Sequence, residues 1–170
     1  VRAAAALPDV DPARPAESLL ADRLDRLNGA TYELGSVLKV LTIAMALEMR
    51  LATPATVLDV RVPLHVKGWT IRDMVPSGRP LTVREVLVQS SNIGVAQLAQ
   101  LAGATAQQAF LARAGLTEPM RIETGPLGAP RLPARWGEIE TATIAYGYGL
   151  AVSPMQLAAA FAGLINRSEE

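Results

Sequence analysis

Ser36 and Lys39 stand three residues apart in the stretch TYELGSVLKVLTIAMALE, residues 31–48. Three residues of α-helix turn through about 300° and rise about 4.5 Å, so the two side chains share a face and can meet. A hydroxyl is a weak nucleophile until a base takes its proton. A lysine serves if burial disfavours its ammonium form, whereas arginine keeps its charge in any surroundings. The chain holds fourteen arginines and only two lysines. A lysine on this apolar turn, where arginine is the cation used elsewhere, points to an amine placed to give up its charge. Backbone N–H groups at a helix start would also face the position where an oxyanion forms. Seven serines and two lysines in 170 residues produce a Ser-x-x-Lys by chance roughly 8% of the time, so the pair alone decides nothing. Ser36 read by itself is equally a helix N-cap.

A second polar group follows about fifty residues later in VLVQSSNIGVAQLA. Ser90-Ser91-Asn92 falls between a helix expected to end near Gln89 and another expected to start near Ile93. Such a junction turns short polar side chains into a shared space, although Ser91 or Asn92 would also make an ordinary cap. Ser-x-x-Lys followed by Ser-x-Asn, with a later Lys-Thr-Gly, is the motif set of penicillin-binding proteins and class A β-lactamases.

YELGSVLK, VLVQSSNIGVAQLA and YGYGLAVSPMQLAAAFAGLIN, in that order and spacing, resemble the transpeptidase domain of class B penicillin-binding proteins, most closely the division-specific penicillin-binding protein 3 type. The likeness runs over nearly the whole chain. It implies that Ser36 is the acyl-accepting nucleophile, attacking the penultimate D-alanyl carbonyl of a peptidoglycan stem peptide or the β-lactam ring that imitates it. It implies that Lys39 is the general base, that Ser90 passes a proton to the leaving group, and that Asn92 hydrogen-bonds Lys39 and the substrate amide. Tyr146-Gly147-Tyr148-Gly149 resembles the family's lead into a late helix and receives no catalytic role.

The chain departs from the family in one large respect: it has no Lys-Thr-Gly or Lys-Ser-Gly. Lys67-Gly68 does not substitute, since it precedes Ser-x-Asn and lacks the hydroxyl residue between. The fold class expected is therefore mainly α: the helical lobe of the α/β β-lactamase/transpeptidase-like fold, with most of the central antiparallel sheet missing. Residues 1–170 then form one partial transpeptidase domain, without membrane anchor, pedestal, first strand or C-terminal strands. The absent strand supplies an oxyanion donor, and losing one such donor costs about 10²–10³ in rate, so the polypeptide alone is expected to be nearly inactive. Two rival readings are a β-lactam or peptidoglycan sensor, or other non-catalytic binding module, and a helical interaction domain in which all these polar residues are caps.

The elements that must position these residues are legible in outline. Residues 1–7 read as a strand and residues 8–15 as a turn-rich connection. PAESLLADRLDRLNG has leucines at 19, 20, 24 and 27, a helical face closed by Gly29. The Ser36 helix ends before Pro54, and residues 57–73 alternate as short strands or a hairpin turning at Lys67-Gly68. Thr82-Val83-Arg84-Glu85 is a capping box that starts a helix to about Gln89, with Leu81 and Val86 as its staple. Helices stopped by Gly103 and Gly115 follow. Residues 117–137 form a long connection, and Ser153-Pro154-Met155-Gln156 opens a last helix to about Asn166. Trp69 and Trp136 are expected to anchor packing or loops, and Arg72 with Asp73 to form a local ion pair.

Composition excludes other classes. Lys+Arg and Asp+Glu are equal at 16 each, so there is no basic field to hold nucleic acid. With one histidine and no cysteine, a zinc site would be built largely from carboxylates, and no metal or other cofactor is expected. His65 lacks the Gly-x-Ser-x-Gly elbow of a Ser-His-Asp hydrolase and reads as an ordinary polar residue. No apolar run reaches the ~20 residues of a membrane span. The resemblance places the parent protein on the periplasmic face of the inner membrane, although this chain shows no anchor or signal. Stem peptide, β-lactams and division proteins are the partners it implies; self-association is a further expectation, through an apolar face left without its sheet.

Overall fold

The computed structural model describes residues 5–8, 11–20, 23, 25–123 and 125–166. In chain order its elements are β1 (Tyr32–Glu33), α1 (Leu38–Glu48), β2 (Val57–Leu58), β3 (Leu64–Val66), β4 (Trp69–Ile71), β5 (Leu81–Thr82), α2 (Val83–Val88), α3 (Asn92–Ala102), α4 (Ala104–Arg113), β6 (Arg121–Ile122), β7 (Gly125–Pro126), α5 (Glu138–Ile144), β8 (Ala151–Val152) and α6 (Pro154–Asn166). Two 3₁₀ turns, Pro15–Leu19 and Gly35–Val37, also lie among the described residues. Helix dominates and every strand is two or three residues long, in agreement with a mainly α helical lobe.

The chain forms two compact units. Residues 33–111 and 132–150 make one of them, and it contains every residue of interest for chemistry. Its elements arise from local rules. Leu38, Leu41 and Met45 recur along one stripe of α1 and are almost wholly buried, which is the spacing an amphipathic helix needs. At α2 the capping box is complete: Glu85 N–H donates to Thr82 Oγ1 at 3.2 Å and Thr82 N–H to Glu85 Oε2 at 2.9 Å. The staple residues Leu81 and Val86 are both buried. Lys67 and Gly68 take φ of 46° and 88°, the paired left-handed residues of a tight hairpin turn. Leu64 thereby faces Ile71, and Val66 faces Trp69.

Helix α3 lies at the centre of this unit, packed on α1, α2 and α5. Val95, Ala96, Leu98 and Ala99 are inaccessible to solvent and join Val86, Ala46, Ala142 and Ala145 in one core. Each fully buried valine or leucine contributes about 1.5–3 kcal/mol relative to exposure. The alanines let helices approach closely, and Gly94 shows how closely: a Cβ there would meet Val86 Cγ2 at 2.5 Å.

The other unit comprises residues 1–32, 112–131 and 151–170. Helix α6 starts as its sequence dictates, with Gln156 N–H donating to Ser153 Oγ at 3.2 Å. The buried Gln156 amide also donates to the carbonyls of Gly115 and Glu118. Strands β6 and β7 pair antiparallel, and Arg131 bridges Ala151.

Four expectations need revision. Of the helix read over residues 15–29, the described residues show the short 3₁₀ turn Pro15–Leu19, with Leu19 and Leu20 exposed. Asp25 explains part of this: its carboxylate accepts from the N–H groups of Leu27 and Asn28, a local turn that competes with helix. The strand read over residues 1–7 falls largely outside the described residues, and residues 5–7 belong to no element. The connection over 117–137 contains the β6–β7 hairpin, and α5 directly after it gives no strong signal because its N-cap, Gly137, has no side chain to reveal it. Trp69 is 61% exposed on the β3–β4 hairpin and lies outside the core, whereas Trp136 Nε1 donates to the buried Gln107 at 2.9 Å.

Candidate active site

Ser36 occupies the 3₁₀ turn that feeds α1, and its side chain caps no helix. Two hydrogen bonds hold the turn, one of them to a side-chain carboxylate. Gly35 N–H donates to the Gly147 carbonyl at 3.1 Å, and Gly149 N–H donates to Glu33 Oε1 at 2.8 Å. Gly35 and Gly147 have φ of 53° and 99°, conformations open to glycine. A Cβ on Gly147 would collide with the Gly35 carbonyl. Tyr146-Gly147-Tyr148-Gly149 thus supports the Ser36 turn from behind. Thr42 Oγ1 donates to the Ala145 carbonyl at 3.0 Å and fastens α1 to the end of α5.

Lys39, the second residue of α1, is 2% exposed. Its ammonium donates to the Ser90 carbonyl oxygen and, at 2.8 Å, to Ser90 Oγ. Ser90 Oγ in turn lies 3.2 Å from Ser36 Oγ, to which it donates. Amine and two hydroxyls form one continuous hydrogen-bonded chain, from a buried group to the exposed serine. Burial pushes the Lys39 pKa below the ordinary lysine value, since charge is disfavoured away from water, and the Asp73 carboxylate partly opposes that shift.

The turn between α2 and α3 presents Ser90 to the amine. Ser90 sits in the left-handed region, φ 56°, a conformation that costs a residue other than glycine of order 1–3 kcal/mol and persists only where its surroundings enforce it. Two neighbours provide that enforcement. Ser91 caps α3, accepting from Gly94 N–H at 3.0 Å, and is itself 2% exposed. Asp73, just beyond β4, accepts from Ser91 Oγ at 2.7 Å and from Ile93 N–H at 2.9 Å.

The sequence-derived residues Ser36, Lys39 and Ser90 therefore converge, but in an order the spacing did not give. Ser90 joins Ser36 to Lys39, and no direct hydrogen bond links the last two; the amine directs two of its three donors at Ser90. Asn92 lies on the same turn, yet its amide nitrogen donates to the Arg72 carbonyl at 3.0 Å, and among the described residues Lys39 donates to Ser90 and not to Asn92. Ser91 is a cap, as the plainer reading held. Asp73 forms no ion pair with Arg72; its carboxylate is occupied by the α3 turn. The bonds Asp73 makes to the α3 turn escaped the sequence reading because its partners lie 18 and 20 residues away and no helical or strand periodicity links them. His65 pairs with Thr70 across the β3–β4 hairpin, its ring 3.1 Å from the threonine hydroxyl.

A lysine whose charge is disfavoured, wired through one hydroxyl to another that faces solvent, is equipped to take a proton from a serine nucleophile. Comparison with known proteins gives the family. The family model described as penicillin binding protein transpeptidase domain matches residues 1–169. A probable peptidoglycan D,D-transpeptidase FtsI of Caulobacter vibrioides is 33% identical over 165 residues, 97% of this chain and 28% of that protein. The peptidoglycan D,D-transpeptidase FtsI of Escherichia coli K12 is 33% identical over 133 residues, 77% of this chain and 22% of that protein. The chain thus spans under a third of the length of these curated relatives. Among solved structures, the transpeptidase domain of Burkholderia pseudomallei penicillin-binding protein 3 superposes with a TM-score of 0.77 at 31% identity, over 82% of this chain and 43% of that one. A structure titled a peptidoglycan glycosyltransferase from Burkholderia ambifaria gives 0.76 at 33% identity, over 82% and 45%. The hydroxyl–amine chain and the family match over all but the last residue lead to one conclusion: this chain belongs to the penicillin-binding protein transpeptidase domain family.

Proposed function

We propose that the protein containing this chain is a serine-type peptidoglycan D,D-transpeptidase of septal wall synthesis, acting at the periplasmic face of the inner membrane. Ser36 is its nucleophile. Ser36 Oγ forms a bond to the penultimate D-alanyl carbonyl of the stem peptide while its proton passes through Ser90 to the free amine of Lys39. The peptide C–N bond then breaks, and the same proton returns through Ser90 to the departing D-alanine nitrogen. An acceptor amine from a second stem peptide later displaces Ser36, yielding a cross-link and restoring the hydroxyl. A β-lactam follows the first half of this course, its ring C–N bond breaking in place of the peptide bond, but the leaving nitrogen stays tethered.

Asn92 Oδ1, which accepts no hydrogen bond from the described residues, is assigned to the substrate amide, while its Nδ2 stays on Arg72. The observation that carries the whole reading is the run from buried Lys39 through Ser90 to exposed Ser36. Division proteins are the partners of the parent activity, and the 170-residue polypeptide on its own, lacking a Lys-Thr-Gly, acylates slowly and self-associates.

A fluorescent penicillin tests this on the intact gene product. Stoichiometric labelling with the adduct on Ser36, lost in Ser36→Ala and reduced by at least about 10²-fold in Lys39→Ala, is the expected result. Labelling that survives Ser36→Ala refutes the acyl-enzyme. Tight ligand binding unaltered by Lys39→Ala would make the protein a sensor or binding module. The isolated 170 residues should label far more slowly than the intact protein, and equal rates would refute the dependence on a further motif.

A further inference from the structure

Asp73 has no part in the motifs above, yet three interactions converge on it or its neighbour. Its two carboxylate oxygens accept from Ser91 Oγ at 2.7 Å and Ile93 N–H at 2.9 Å, and the preceding Arg72 carbonyl accepts from Asn92 Nδ2 at 3.0 Å. The strand-end dipeptide thus grips three successive residues of the α3 start. The residue immediately before them, Ser90, holds left-handed backbone and turns both its oxygen atoms toward Lys39.

We propose that Asp73 is a positioning residue: by clamping the Ser91–Ile93 turn it fixes Ser90 where one residue can receive the Lys39 amine and reach Ser36. The proposal rests on the acylation chemistry given under the proposed function. It follows from rigidity and charge together. Released from Asp73, the turn regains access to ordinary right-handed or extended conformations at Ser90, and the relay then loses its geometry for part of the time. A displacement of about 1 Å in a reacting constellation can lower the rate about 100-fold.

Asp73 also acts on Lys39 through space, favouring its ammonium form against burial. Other charged groups are poorly placed to do so. Helix α3 and the Gly35–Val37 turn, both packed on α1, carry no charged residue. Helix α2 carries Arg84, which is exposed, and Glu85, which is held by Arg79 at 2.7 Å and by the Thr82 cap. Glu48 lies at the far end of α1, and Glu33 accepts from Gly149. Neutralising Asp73 therefore leaves Lys39 without its opposing carboxylate and lets the free amine form at lower pH.

The test is the rate of acylation by a fluorescent penicillin against pH, with thermal unfolding in parallel, for the intact gene product and its Asp73→Asn and Ser91→Ala variants. Asp73→Asn is expected to acylate about 10- to 100-fold more slowly at the plateau, with its acid limb moved to lower pH and its folded fraction unchanged. Ser91→Ala keeps the carboxylate and its bond to Ile93, so the plateau falls less and the limb stays in place. This second variant also stands in should Asp73→Asn fail to fold. Rates within twofold of the parent and an unmoved limb overturn the proposal. So does activity lost only in proportion to folded protein in both variants, which makes the clamp merely structural. With Ser36→Ala unlabelled and Asp73→Asn normal, only this inference falls; if Ser36→Ala still labels, the proposed function falls and takes the inference with it.

Discussion

At the scale of single residues, the proposed mechanism makes the charge on Lys39 decide when Ser36 can react. Lys39→Arg retains a cation of similar length that does not deprotonate, and acylation is expected to fall by about 10²–10⁴ while the protein stays folded; stopped-flow labelling reads this directly. In the parent protein the rate should rise with pH through the lowered Lys39 pKa. The same shift has a consequence for stability. The unfolded chain binds the Lys39 proton more tightly than the folded one, so between the folded and unfolded pKa values stability rises with pH, and below that window the penalty of burying the ammonium is present in full. Melting temperatures across the alkaline range should show this slope, and Lys39→Met should flatten it. Ser36, Lys39 and Ser90 were legible because helical spacing and motif order are local properties of a sequence. The Asn92–Arg72 and Asp73–Ser91 bonds were not, since they join a strand end to a helix start and have no periodic signature.

At the scale of elements, the start of α3 depends on how tightly α2 lies against it. Gly94 is buried with Val86 where its side chain would be. Gly94→Ala should destabilise by about 1–3 kcal/mol through overpacking, and Val86→Ala in the same chain should recover part of that loss, a coupling that a denaturant double-mutant cycle measures. Thr82→Ala removes the α2 cap and should cost about 0.5–2 kcal/mol by the same measurement. The capping boxes and glycine stops explain why α2, α3, α4 and α6 were foreseeable: each carries its boundary chemistry in adjacent residues. Helix α5 does not. Its first turn is satisfied by Glu140 reaching back to Gly137 N–H, a contact that a glycine at the cap conceals. The leucines at 19, 20 and 27 show the opposite failure, a helical pattern overridden by the turn that Asp25 imposes.

At the scale of the whole chain, the unit that holds the site is discontinuous, made of residues 33–111 and 132–150. Ala142 and Ala145 from the second segment are inaccessible parts of its core. A polypeptide ending at Arg131 should therefore lose cooperative thermal unfolding by circular dichroism and fail to label with penicillin. This dependence was invisible in the sequence, where YGYG reads as a connector to the last helix. The tie between Glu33 and Gly149 spans 116 residues, and at the usual pace of translation, about 5–20 residues per second, its halves emerge on the order of ten seconds apart. A ribosome thus releases Ser36 long before the backbone that braces its turn, and the hydrogen-bonded surroundings of that hydroxyl are complete only after Gly149 has emerged.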